Sequence, residues 1–227
     1  MKHIKHIFFD LDHTLWDFET NSDIAFETVF KKHQVKADLQ KFLNYYRGIN
    51  EHYWKLYREE KVTKEELRLG RLKDTFVKIK EDFDLQLLEN LAVDYIEVLP
   101  HNNQLFEGTH EILEHLYLNY KLHIITNGFN EVQYKKIKNS GLTKYFDKII
   151  TSEEAGVKKP NPIIFEYALE MTKASSTESI MIGDNWEADI MGAKDAGFDV
   201  IFCNFNVQPV SENIKSVSNL MEIKRYL

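Results

Sequence analysis

The chain has one cysteine, Cys203, among its 227 residues. A single thiol excludes an intramolecular disulfide and a cysteine-built metal cluster, and it suits a reducing compartment. Cys203 itself reads as a small apolar core residue. Long hydrophobic runs are also missing: the opening MKHIKHIFFD reaches an aspartate after a few apolar residues, too few for a signal-peptide core, and no later run has the length of a bilayer span. The expectation is a soluble cytoplasmic protein with no membrane partner. Basic charge is in deficit, because 29 Lys and Arg against 36 Asp and Glu give a formal charge of -7. The basic residues are scattered, so no nucleic-acid polymer is expected as a partner. There is no GxxxxGKS or GxxxxGKT loop, no GxGxxG after a strand, no HExxH and no CxxC pair, which removes support for P-loop, dinucleotide and zinc-hydrolase chemistry. His110 and His115 stand five apart, a poor helical ligand spacing, and read as solvent-facing.

What is present is enough apolar material for a sizeable core, 43% hydrophobic with 13% aromatic residues, at a length that fits one domain with an insertion or two small domains. Apolar runs of strand length occur at Ile7–Phe9, Leu122–Ile125, Lys148–Ile150, Ile180–Ile182 and Val200–Phe202, each beside sequence of helical period, and that alternation predicts an α/β fold with a parallel sheet. Residues 17–100 carry no convincing strand and several amphipathic patterns, so they read as an inserted all-helical domain between core segments 1–16 and 101–227. TKEE at Thr63–Glu66 is a capping box before the apolar face of Leu69, Leu72 and Phe76. Further helices are expected near Asp23–Lys32, Leu39–Tyr57 and Leu85–Leu99, with Pro100 closing the insertion.

Ligands of open parallel sheets bind at the carboxyl ends of the strands, and here those ends are rich in chemistry. FFDLDHTLWDF places Asp10, Asp12 and Thr14 after the first run; strand alternation predicts both carboxylates on one side. Like charges so close repel unless something positive lies between them, so the stretch is either an acidic turn in water or a metal-assisted site. The second run ends in Thr126, Asn127 and Gly128, the third leads to Lys158 and Lys159, and the fourth ends in GDNWEAD with Asp184 and Asp189. Singly, each has a plain structural explanation: a cap, a strand end, a solvated lysine pair, a wet helix face. Together they are the carboxylates, hydroxyl, amide and ammonium that phosphoryl transfer needs.

In order and spacing, DLDHT, ITNG, KKPNP and GDNWEAD resemble the four motifs of the haloacid dehalogenase-like hydrolase superfamily, and the insertion resembles its helical C1 cap. FFDLDHTLWDF, YYRGIN, EELRLGRL, ITNGF and SEEAGVKKPNPIIFEYAL are most similar to the bacterial pyrimidine 5'-nucleotidase group. The resemblance implies a Rossmann-like core and Mg2+ as cofactor. It also implies Asp10 as the nucleophile that forms an aspartyl-phosphate and Asp12 as general acid and then base. Mg2+ would be held by Asp10, the main-chain carbonyl of Asp12 and Asp184. Thr126 and Asn127 would bind phosphate, as would Lys159, with Lys158 its register alternative. Asp189 would be a supporting acid orienting Lys159 or a water of the metal. Asp12 would start protonated, raised by neighbouring anionic charge. Dehalogenating relatives lack an acid at that position, which favours phosphate chemistry.

His13 stands where many relatives carry glycine and is assigned no chemistry. Trp16 and Phe18 either line the site or pack, packing being favoured. Arg47, Asn50, Tyr53, Arg68 and Arg71 are open candidates for polar recognition in the insertion. The expected partner is a small phosphorylated metabolite, a nucleoside 5'-monophosphate foremost, with the chain a monomer or homodimer. The alternatives are a sugar phosphatase or phosphomutase of the same superfamily, or a non-catalytic binding or regulatory module.

Overall fold

The computed structural model describes residues 3–207, 209 and 213–227. In chain order its elements are β1 (His6–Phe9), α1 (Phe18–Lys32), α2 (Leu39–Arg58), α3 (Lys64–Ile79), α4 (Leu85–Val98), α5 (Thr109–Tyr117), β2 (Lys121–Thr126), α6 (Asn130–Asn139), β3 (Phe146–Thr151), α7 (Ser152–Ala155), α8 (Pro162–Thr172), β4 (Ser179–Gly183), α9 (Gly192–Asp195), β5 (Asp199–Cys203) and β6 (Lys215–Val217). Short 3-10 turns and a π-helical turn at Trp186–Met191 lie between them.

The six strands form one sheet in the order β3-β2-β1-β4-β5-β6, and every pairing is parallel. This is the parallel sheet expected from the alternation of apolar runs and helical patterns, in the Rossmann-like form that the resemblance implies. β1 sits between β2 and β4, with Ile7, Phe8 and Phe9 fully buried, which is why its run is uninterrupted apolar sequence. In register, Phe9 pairs with Ile124 and Ile182, so the chain following β1, β2 and β4 emerges at one end of the sheet. Phe8, Ile125, Met181, Phe165 and Phe198 belong to one packed cluster. Cys203 is buried at the end of β5, as expected of an apolar thiol. The sixth strand was not expected: KSV at Lys215–Val217 contains a single apolar residue, and only pairing with β5 makes it extended.

The chain divides into two compact units, Met1–Phe18 with Asn103–Leu227, and Glu19–Asn102. Within the second unit, the local signals act as chemistry dictates. Asp38 caps α2 by accepting from Lys41 N at 2.8 Å, and Asp84 caps α4 by accepting from Leu87 N at 2.6 Å. At α3 the capping box is complete, with Glu66 N donating to Thr63 Oγ1 at 3.1 Å and Thr63 N to Glu66 Oε2 at 2.7 Å. An aromatic core joins α1 to α4: the Phe26 ring stacks on Tyr95 at 4.3 Å and meets Tyr46 at 4.5 Å, and Phe42 meets Phe30 and Phe76. α1 begins at Phe18, five residues before the expected Asp23. The buried face of its first turns carries Asn21 and Ser22, polar residues that hide the apolar period; Ser22 Oγ lies 2.8 Å from Tyr95 Oη. Among the described residues, no helix is long and apolar enough to cross a membrane.

Candidate active site

The strand ends of the sheet unit gather the acids. β1 stops at Phe9, so Asp10 and Asp12 lie beyond the strand, and alternation does not govern them. Asp10 N still donates to Ile182 O at 2.9 Å, which fixes Asp10 against β4. The chain then curls: Leu15 N and Trp16 N both donate to Leu11 O, and His13 N donates to Trp16 O. His13 takes φ 62° inside this curl, a left-handed conformation that favours glycine. Glycine would suit this position without strain, whereas His13 holds the left-handed conformation with a side chain. The curl sends Asp10 and Asp12 to different partners.

Asp10 Oδ1 accepts from Lys159 Nζ at 2.7 Å. The same ammonium donates to Ile125 O at 2.7 Å and lies 2.7 Å from Asp189 Oδ1. Lys159, and not its neighbour Lys158, is therefore the ammonium set against Asp10. Its side chain is 2% exposed, and burial alone would drive its proton off. Asp10 and Asp189 outweigh that effect and hold its pKa above the ordinary lysine value. Asn127 fixes the main chain of Lys159 from both sides, accepting from Lys159 N at 2.8 Å and donating to Lys159 O at 2.9 Å. The Asn127 amide thus binds protein at both ends, a use that the phosphate-binding expectation did not foresee.

Asp184 follows β4 and accepts from Thr14 Oγ1 at 3.2 Å. Asp189 Oδ2 accepts from Asn185 N at 3.0 Å. Gly183 makes this possible, because a Cβ there would stand 2.3 Å from Asp189 Oδ2. Carboxylate oxygens of Asp10, Asp184 and Asp189 all lie within 4.8 Å of one another. Burial first, then neighbouring anions, lifts Asp184 to about 8, and Asp10 is likewise raised, chiefly by burial. Three carboxylates, those of Asp10 and Asp189 buried and that of Asp184 partly so, around one ammonium leave an excess of negative charge. Hard oxygen donors in this arrangement fit a divalent cation such as Mg2+.

Asp12 has a different surrounding. Lys136 Nζ donates to its Oδ1 at 2.6 Å and Gln133 Nε2 to its Oδ2 at 3.1 Å. The expected neighbours of Asp12 are anionic; Lys136 adds an ammonium. Gln133 Nε2 also donates to Thr126 Oγ1 at 2.8 Å, and Gly128 N donates to the same oxygen at 3.1 Å. The Lys136 ammonium sits 4.1 Å from the Trp16 ring centroid and 5.3 Å from that of Phe18. Trp16 is fully buried and Phe18 nearly so, so both pack, as favoured. Gln133 and Lys136 escaped the sequence reading. Their one signal was a polar pair on the buried face of a helix whose other buried residues are Val132 and Ile137.

A family profile described as haloacid dehalogenase-like hydrolase matches residues 7–203. The pyrimidine 5'-nucleotidase PynA of Streptococcus pneumoniae is 34% identical over 88% of this chain and 84% of its own length. The pyrimidine 5'-nucleotidase YjjG of Escherichia coli is 31% identical over 97% of this chain and 96% of its own length. Among solved structures, the Bacillus subtilis protein YfnB bound to magnesium superposes with a TM-score of 0.88 at 27% identity, covering 98% of this chain and 97% of that one.

Proposed function

The chain belongs to the haloacid dehalogenase-like hydrolases, and from that premise we propose that it is a Mg2+-dependent phosphomonoesterase that acts through an aspartyl-phosphate on Asp10, with nucleoside 5'-monophosphates as its substrates. The observation that carries this reading is the separation of two carboxylates only two positions apart. Asp10 is gripped by Lys159 in a largely buried acidic cluster, and Asp12 is held apart by Lys136 and Gln133.

Asp10 attacks phosphorus, so that an Asp10–phosphorus bond forms as the bond to the leaving oxygen breaks. Asp12 gives its proton to that leaving alkoxide; it then takes a proton from the water that attacks phosphorus and frees Asp10. Lys159 offsets the charge that builds where an anion meets a phosphate dianion, and the Thr126 hydroxyl orients a phosphoryl oxygen. Mg2+, when held by Asp10 and Asp184 with the Asp12 carbonyl, supplies the remaining positive charge. Asp189 acts through Lys159, which it holds at 2.7 Å. Residues 17–100 serve as the C1-type helical insertion.

The names of the two nucleotidases at 31% and 34% identity support the substrate class. A steady-state panel of phosphate esters, run with and without Mg2+, tests it. UMP, dUMP or dTMP should turn over faster than hexose phosphates; a much faster hexose phosphate would replace nucleotidase by sugar phosphatase. No turnover of any ester would favour a binding module.

A further inference from the structure

Gln133 and Lys136 stand one turn apart on α6, so their side chains project from the same face. Both end on Asp12, one on each carboxylate oxygen. A lysine 2% exposed needs a firm reason to be inside, because an ammonium out of water costs several kcal/mol unless it is paired and held. Here it is held on two sides. The rings of Trp16 and Phe18 face it, and Asp12 faces it at 2.6 Å. Trp16 belongs to the same curl as Asp12 and forms a bridge with it, so the cation and the carboxylate it touches share one support. Gln133 spends one amide hydrogen on Asp12 and the other on Thr126. Gly128 leaves it the room, since a Cβ there would lie 2.4 Å from Gln133 Cδ.

Two donors on both oxygens lock the carboxyl group against rotation, and the Gln133 link sets its place relative to the Thr126 hydroxyl. We propose that Lys136, assisted by Gln133, is the positioning residue that aims the Asp12 carboxyl group at the leaving oxygen of the substrate. Lys136 acts through Asp12 and touches no reacting atom. This inference rests on the phosphomonoesterase reading, and the two separate in one experiment.

The test uses rapid-quench single turnovers of the full chain with Mg2+ on two esters. UMP has an alkoxide leaving group that needs a proton; p-nitrophenyl phosphate has one that does not. In Lys136→Met, which keeps the stem packed on Trp16, release from UMP should fall about 10-fold or more, since a well-placed general acid contributes at least about 100-fold. Release of p-nitrophenolate should stay within about 3-fold of the parent. Lys136→Leu, which likewise lacks a donor, serves if the methionine variant does not fold, and should show the same selective loss. Equal losses on both esters in a folded variant would reduce Lys136 to general packing, and no loss on UMP would also overturn the proposal. If the unaltered chain cleaves neither ester, the phosphomonoesterase reading itself fails.

Discussion

Asp10 and Asp12 share a residue type and stand two positions apart, yet their surroundings assign them different work. Asp10→Asn should abolish turnover, by about 1000-fold or more, while circular dichroism and the melting curve show a folded chain, because the volume is kept and Lys159 retains Asp189. Asp12→Asn should fail differently. With p-nitrophenyl phosphate the first release should survive and phosphorylated Asp10 should accumulate, which mass spectrometry of acid-quenched protein would register. Gly183→Ala tests a third residue: its Cβ would displace the Asp189 carboxylate, costing about 1–3 kcal/mol in urea unfolding and loosening Lys159. Asp10, Asp12 and Asp184 stood out in the sequence because each comes just after an apolar run, whereas Lys159 lies well past the third run and was singled out by the resemblance, with Lys158 as its alternative. Gln133 and Lys136 were not, since they meet Asp12 across more than 120 positions of chain and a helix face does not announce what it faces.

At the scale of elements, β1 and β2 bring two histidines together inside the sheet. His6 Nδ1 lies 3.0 Å from His123 Nε2, with the rings stacked at 5.3 Å. Burial first, then His6, lowers His123 to about 4, and burial lowers His6 as well. The native sheet therefore takes up a proton on His123 less readily than the unfolded chain, whose histidines titrate near 6.5. Stability is full above about 6.5 and falls as the pH drops from there towards 4, by up to roughly 3 kcal/mol for His123. Urea unfolding at pH 7 and pH 4.5 checks it, and His123→Met should flatten the slope. Sequence pattern served well where a cap or an apolar run marked the element, as at Thr63 and Ile7. It failed where partners decide the conformation: β6 is extended only through β5, and α1 conceals its first turns behind buried Asn21 and Ser22. Thr63→Ala should destabilise α3 by about 1 kcal/mol, measured as a lower urea midpoint.

For the molecule as a whole, part of the acidic excess is gathered around one ammonium. Carboxylates of Asp10, Asp184 and Asp189 crowd within 4.8 Å, so a divalent cation should raise the melting temperature in proportion to its occupancy. Mg2+ should do so in the parent and far less in Asp184→Asn, read by calorimetry with and without chelator. The Asn127 staple on Lys159 bears on a slower matter, the chemical ageing of the chain. Asn followed by Gly is the dipeptide most prone to lose its amide, when the glycine nitrogen attacks the asparagine side chain to close a succinimide. Here the Asn127 amide is engaged at both ends by Lys159, and Gly128 N is engaged by Thr126. Both reactants are tied down, and the change that would put an acid against the Lys159 carbonyl proceeds only through molecules that have opened there. Shelf life thus becomes a readout of how firmly the sheet unit stays folded.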